Sequence, residues 1–273
     1  MRSIKRICAA LIAAGCVSNA IAAEAPVKVL AAGSLTGAMT AVIRLYKEKT
    51  GRDVQAEFGP AGLLRERIEN GERPDIFASA NMAHPQALAA KGLATPPVVM
   101  ARNRLCATAL PGFGLTSQNL LDRLLDPKVG LGTSTPKADP GGDYAWAVFA
   151  RAEKARPGAQ AILEKKAQQL VGGKNNPPVP AGKNAMEYWF DQHKVDISLG
   201  YCSSRETRPD PKFSKVALPP NLAVTADYGL SVLTVEERSH EPALRFALFV
   251  MSPEAQKLIS LYGFTTVTEN HAE

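Results

Sequence analysis

Apolar and polar positions fall in two alternating textures along this chain: short β-branched runs, then longer stretches with a helical period. VKVLAA at 27–32 has the length and composition of a buried strand. Gly33 permits a tight turn, and from Ser34 a helical pattern runs through Met39, Val42, Ile43 and Tyr46 to Thr50, where Gly51 stops it. The same alternation predicts strands at 54–58 and 76–79, with helices at 63–69 and 85–91 ended by Asn70-Gly71 and Gly92. Beyond these, the pattern predicts a strand at 105–110, a helix at 119–125 and a strand at 129–132. A polar loop over 133–143 leads into helices at 144–155 and 159–171. A loop rich in Pro, Gly and Asn at 172–182 precedes a helix at 185–192, a strand at 197–201 and a further strand at 230–235. Amphipathic helices follow at 242–251 and 253–261, each with Pro in its first turn.

Strands separated by helices of this length imply an α/β fold, with parallel sheet and helices on both faces. Two doubly wound halves fit the order better than one sheet. Ligands of such sheets sit outside the carboxyl ends of the strands. The loops placed there are Gly33-Ser34, 59–62, 138–144, 182–184 and Tyr201.

Composition changes the picture in three ways. Arg2, Lys5 and Arg6, the apolar stretch 7–17 and the small-residue site Ala20-Ile21-Ala22 read as a secretory signal peptide over residues 1–23. A lipoprotein box ending at Cys16 ranks second, because Ala13 is a poor first residue for it; no later stretch is long and apolar enough to span a bilayer. The leader removes three basic residues and no acid, so the formal charge drops from +6 to +3. That balance, with no lysine or arginine run, argues against nucleic acid and mildly favours an anionic ligand. The remaining length suits one large or two small domains. Of four cysteines, Cys8 and Cys16 leave with the leader; Cys106 and Cys202 remain, an even pair that reads as one disulfide in an exported chain, two buried thiols being the alternative.

The candidate chemistry lies in the loops. A serine at the start of a helix that follows a buried strand offers a hydroxyl and free backbone N–H groups where the helix dipole favours negative charge. Gly59-Pro60-Ala61-Gly62, Asp139-Pro140-Gly141-Gly142-Asp143 and Ala181-Gly182-Lys183-Asn184 each open a helix, and Tyr201 ends a strand. Singly each is a plain turn or cap; as a set of helix N-termini around one cleft they make an anion site without formal positive charge. Enzyme readings fare worse. His84, His193, His240 and His271 sit beside no plausible nucleophile, no phosphate-binding or nucleophile-elbow motif occurs, and no Cys/His cluster has metal-ligand spacing. A secreted hydrolase using Ser34 lacks a visible base. No cofactor is implied.

Several stretches resemble the molybdate-binding periplasmic proteins of ABC importers, within the type II periplasmic binding proteins: AAGSLTGAM (31–39), RIENGERPDIFASAN (67–81), NRLCATA (103–109), DPGGDYAW (139–146), DISLGY (196–201) and ALRFALFVMSPEAQKLISLYGF (243–264). The resemblance implies two lobes, 24–106 with 225–273 and 107–224, joined by crossings near 105–108 and 223–230 that close by hinge motion. It also implies a monomer in the periplasm that captures molybdate or tungstate, a small tetrahedral oxyanion, and passes it to a membrane permease. The family holds its oxyanion with two serines, backbone N–H groups and a tyrosine hydroxyl. Carried over, these are Ser34, Tyr201 and backbone donors near Gly141 and near Lys183 or Asn184. The second serine is replaced by Ala61. One lost hydrogen bond to a charged ligand is worth roughly 1.5–3 kcal/mol, so a different solute held through the Ala61 loop is the first alternative.

Overall fold

The structure, a computed structural model, describes residues 25–203, 206–208, 210–234 and 239–267. The predicted leader, the Cys16 lipid site and His271 lie outside the described residues. The first strand, β1 (Val27–Ala32), is buried on both faces. A single 3-10 turn, Gly33–Leu35, leads into α1 (Thr36–Thr50), which buries Ala38, Met39, Ala41, Val42 and Tyr46 and ends at Gly51 with φ +70°. There the glycine N–H closes on the Lys47 carbonyl, the left-handed stop the sequence predicts. Next come β2 (Val54–Gly59), α2 (Ala61–Glu69), β3 (Ile76–Ser79) and α3 (Ala83–Ala90). The middle of the chain is β4 (Val98–Ala109), α4 (Leu120–Leu125), β5 (Leu131–Ser134), α5 (Pro140–Ala155), α6 (Ala159–Lys166), β6 (Gln168–Val171), α7 (Ala185–Asp191) and β7 (Ile197–Tyr201). β8 (Ser214–Ala217), β9 (Thr225–Val232), α8 (Glu241–Val250) and α9 (Pro253–Ser260) complete the described elements.

The strands run in the order β2-β1-β3-β9-β4-β7-β5-β6, with β8 on β4. β1 pairs in parallel with β2 and β3, and β5 with β6 and β7. The predicted parallel pairing holds within each half, and the centre is antiparallel: β9 runs against β3 and β4, and β4 against β7 and β8. The physical reason is that β4 and β9 carry the chain between lobes in opposite directions, so they meet head to tail. Residues 98–104 of β4 pair with β9, and residues 105–109 pair with β7 and β8. The two crossings lie side by side: Arg104 stands opposite Thr225, and the Leu105 N–H donates to the Val224 carbonyl at 3.2 Å.

Other expectations also move. The predicted helix over 159–171 breaks at Ala167, and residues 168–171 form β6, with Leu170 buried. Pairing with β5 outweighs helix propensity there, as tertiary context often does. β8 is absent from the sequence reading because it is a short edge strand in a Pro-rich stretch. β4 and β9 both begin earlier than predicted, and α5 starts at Pro140 because Asp139 caps it, its carboxylate accepting from the Gly141 N–H at 3.1 Å.

Two hydrophobic cores follow from the two sheet halves. The first gathers β1, β3 and β9 against α1, α8 and α9, with Tyr46 edge-on to Phe246 at 5.0 Å and Phe249 at 5.1 Å. Such pairs add about 0.5–1.5 kcal/mol beyond burial alone. The second packs Leu105, Leu131, Phe149, Leu163 and Ile197 between β4, β5, β7 and the helices α5 and α6. Tyr144 and Tyr201 pack against both cores.

Candidate functional site

Carbonyl ends of β1, β5 and β7 and the starts of α2 and α5 converge where the cores meet. Gly33–Leu35 forms its own turn and Ser34 makes no capping bond to the helix. Instead the Ser34 hydroxyl lies 2.9 Å from the Tyr228 hydroxyl on β9, while Thr36 Oγ1 donates back to the Gly33 carbonyl. The capping role that the sequence suggests for Ser34 is therefore corrected. The 3-10 turn rotates its side chain off the helix axis, and a phenol holds it.

Tyr228 is fully buried, and Asn103 on the neighbouring strand donates to its hydroxyl at 3.3 Å. Asn103 also donates to Ser203 Oγ at 2.8 Å, and its carbonyl accepts from the backbone N–H groups of Arg104 and Ser203. Burial pushes the Tyr228 phenol well above the usual tyrosine range, against the opposing pull of its hydrogen bonds to Ser34 and Asn103. Tyr228 thus stays neutral at any physiological pH.

Tyr201 stands at the last position of β7, with ring centroids 5.7 Å from Tyr228 and 6.3 Å from Tyr144. Part of its ring reaches solvent, but its hydroxyl is buried and makes no well-formed hydrogen bond. Burial first, then the neighbouring Tyr228, Asp139 and Tyr144, and last a weak side-chain hydrogen bond with Tyr228, raise its pKa well above the ordinary phenol value. A buried hydroxyl left wholly unpaired costs about 1–3 kcal/mol, and the contact to Tyr228 offsets only part of that, so the hydroxyl can still donate to a better acceptor at the lobe junction. Tyr144 of α5 spans the junction directly, its hydroxyl donating to the Ala80 carbonyl beyond β3 at 3.1 Å.

The remaining predicted residues fall as follows. Ala61 is the first residue of α2 and is 1% exposed. Its neighbour Gly62 donates its N–H to the Ala138 carbonyl of the other lobe at 3.0 Å. A Cβ at Gly62 would stand 2.1 Å from the Lys137 carbonyl oxygen, so the contact requires glycine. Gly141 is buried in the first turn of α5, but its N–H is held by Asp139. Asp139 packs against Gly172 after β6, and burial raises its pKa despite help from Gly141 and Ser134. Asp143 turns away to accept from the Lys137 N–H at 2.8 Å. Lys183 is exposed in a turn, its N–H given to Pro180, and Asn184 spends its side chain capping α7. The structure therefore brings Ser34 and Tyr201 together through Tyr228, and sets Ala61 and Gly141 at the two facing helix starts.

Sequence reasoning missed Tyr228, Asn103, Ser203 and Tyr144. The available signal was polarity inside apolar strands: Asn103 interrupts β4 and Tyr228 sits in the buried run of β9. The predicted disulfide is present, Cys106 to Cys202, with Cα atoms 4.9 Å apart across 96 residues. His84 is far from a nucleophile's role: both ring nitrogens are buried without partners, and burial lowers its pKa to about 4. Among the described residues no group of acidic, His or Cys side chains could hold a metal ion, and no helix is long and apolar enough to cross a membrane.

Comparison with known proteins bears on the family and the fold. A family model described as bacterial extracellular solute-binding protein matches residues 27–265. Protein PM1146 of Pasteurella multocida, uncharacterized, is 39% identical over 211 residues, 77% of this chain and 88% of that protein. The molybdate-binding protein ModA of Escherichia coli K12 is 40% identical over 63 residues, 23% of this chain and 24% of ModA. Among solved structures, the periplasmic molybdate-binding protein of Azotobacter vinelandii superposes with a TM-score of 0.70 at 18% identity, over 88% of this chain and 98% of that one, a likeness of fold.

Proposed function

The chain belongs to the bacterial extracellular solute-binding proteins, and within that family we propose that it captures a small tetrahedral oxyanion, molybdate or tungstate, between its lobes and delivers it to the permease of an ABC importer. The observation that carries this reading is the Tyr201 hydroxyl: buried, neutral and with no more than a weak contact to Tyr228, beside the Ser34–Tyr228 hydroxyl pair. Neutral hydroxyls and helix N-termini suit an anion stripped of water, because they supply hydrogen bonds without a counter-charge that must itself be desolvated. Ser34 from the first lobe and Tyr201 from the second would hold the anion, with the N-termini of α2 and α5 on either side. Residues 24–106 with 225–273 would form one lobe and 107–224 the other, moving about the paired crossings at Arg104–Leu105 and Val224–Thr225.

The second reading, a different solute in the same cleft, is favoured by two particular contacts. The Gly62 and Gly141 N–H groups are already committed to Ala138 and Asp139, and Asp139 brings a carboxyl to the rim. Such a site would suit a solute that also offers a hydrogen-bond donor. A hydrolase reading of Ser34 has little to work with, since its hydroxyl meets a phenol, too weak a base to take its proton at neutral pH. Thermal-shift and calorimetric titration of the exported chain with molybdate, tungstate, sulfate and phosphate tests the proposal. Tight binding of molybdate or tungstate is expected, and no binding of either rejects it.

A further inference from the structure

Tyr201 needs more than its own strand to hold its buried hydroxyl in place, because β7 ends at that residue. The three residues 201–203 are instead tied down from several directions. Cys202 is bonded to Cys106 of β4, and its N–H donates to the Arg104 carbonyl at 2.8 Å. Ser203 is gripped by Asn103 at both its side chain and its N–H. These ties all come from β4. The carbonyls of the same three residues point elsewhere, and one side chain collects them. Lys215 Nζ donates to the Tyr201 carbonyl at 3.3 Å, to Cys202 at 3.1 Å and to Ser203 at 2.6 Å.

Lys215 lies on β8, the short strand that the sequence reading lacked, opposite Thr108 of β4. Its stem reaches past the disulfide pair, with Cys106 opposite Ala217 two residues on. An ammonium has three protons and no acceptor, so it can donate to three convergent carbonyls at once. Burial lowers its pKa by taking the ammonium out of water.

We infer that Lys215 is a positioning residue for Tyr201: its ammonium gathers the carbonyls of residues 201–203 and so fixes the end of β7 from which the Tyr201 hydroxyl enters the cleft. β8 is then a strut for the site rather than a decorative edge. The role rests on the oxyanion reading only for its effect on binding; its effect on the 201–203 backbone stands apart.

Both parts are measurable on the full exported chain with its disulfide intact. Amide hydrogen exchange reads the backbone: Lys215→Met should lower the protection of the Cys202 N–H by about tenfold, Lys215→Arg should largely restore it, and Leu199 within β7 should keep its protection. Unchanged Cys202 exchange, or an equal loss at Leu199, overturns the positioning role. Molybdate titration reads the site. Lys215→Met should weaken binding about fivefold in the wild-type background and by less than about twofold in Tyr201→Phe, the signature of one residue acting through another. Equal losses in both backgrounds overturn it. If the wild-type chain binds no molybdate, the oxyanion reading falls while the exchange experiment still decides the role of Lys215.

Discussion

Ser34 and Tyr228 stand 194 residues apart in the chain and 2.9 Å apart through their hydroxyls. The bond joins the turn after β1 to the strand β9, two neighbours of β3 on opposite sides. It turns a serine that the sequence places at a helix start into part of a hydroxyl chain running through Tyr228 to Asn103 and Ser203. That chain follows the strand crossing, so the site and the hinge share residues.

Ser34→Ala separates binding from capping. A lost helix cap would cost about 0.5–2 kcal/mol, but Ser34 caps nothing, and only one neutral hydrogen bond is removed, worth about 1 kcal/mol. The melting temperature should drop by a few degrees at most, while oxyanion affinity falls about tenfold, one hydrogen bond to an anion. Calorimetry that finds the dissociation constant unchanged removes Ser34 from the site and leaves it a partner of Tyr228.

Tyr201→Phe gives a sharper contrast. The Tyr201 hydroxyl is buried with no well-formed hydrogen bond, so deleting it from the ligand-free protein removes a desolvated group at the cost of a weak contact to Tyr228. The variant should unfold at the same temperature as the wild type or slightly higher. Its affinity for the solute should drop about tenfold to a hundredfold, the worth of one hydrogen bond to a charged ligand. A variant that unfolds earlier yet binds normally would assign the hydroxyl a structural bond instead.

The contrast between these two residues shows what the sequence could convey. Gly33-Ser34 after a β-branched run and Tyr201 at a strand end are local patterns, visible within a few residues. Tyr228 is not: its role depends on β9 lying between β3 and β4, a pairing set by where the chain crosses between lobes. The same limit explains β6. QQLV has no strong strand signature, and its identity comes from β5 alongside it. Cys106 and Cys202 were legible as a pair because exported cysteines seldom stay free, whereas the Lys215 contact beside them needed β8, which no periodicity announced. Lys183, matched with Asn184 through a helix-opening motif, sits exposed in a turn with its N–H on the Pro180 carbonyl, a placement that a local motif does not convey.

Asp139→Asn tests the charge at the rim. Burial raises the folded pKa of Asp139 above its ordinary 3.8, so the folded chain binds that proton more tightly than the unfolded chain. The resulting stabilisation is complete below about pH 4 and is lost as pH rises through the folded value, leaving a buried carboxylate as a cost at neutral pH. Asparagine keeps the acceptor that caps α5 and removes the charge. The variant should therefore melt higher than wild type at pH 7, with the gap narrowing as pH approaches 4. Its oxyanion affinity should rise, since a like charge near the ligand is gone. A gap that stays constant between about pH 4 and pH 8 would mean that Asp139 titrates as an ordinary exposed carboxylate.

Ala61→Ser asks the most direct question about the solute. Ala61 opens α2, 1% exposed, next to a glycine whose N–H is turned to the opposite lobe. A hydroxyl placed there is buried at once, and without a partner it costs about 1–3 kcal/mol. The ligand-free variant should accordingly melt below the wild type. If the cleft holds an oxyanion, the new hydroxyl finds its acceptor on the ligand. The cost is then recovered on binding, and affinity for molybdate should rise about tenfold, one hydrogen bond to a charged group. If the cleft is built for another solute, the hydroxyl stays unpaired in both states, and the variant is destabilised with no gain for molybdate or tungstate. Parallel melting curves and titrations of the two proteins separate these cases. A variant destabilised alone but stabilised more strongly than wild type by molybdate would mark Ala61 as the position where this chain gave up a donor.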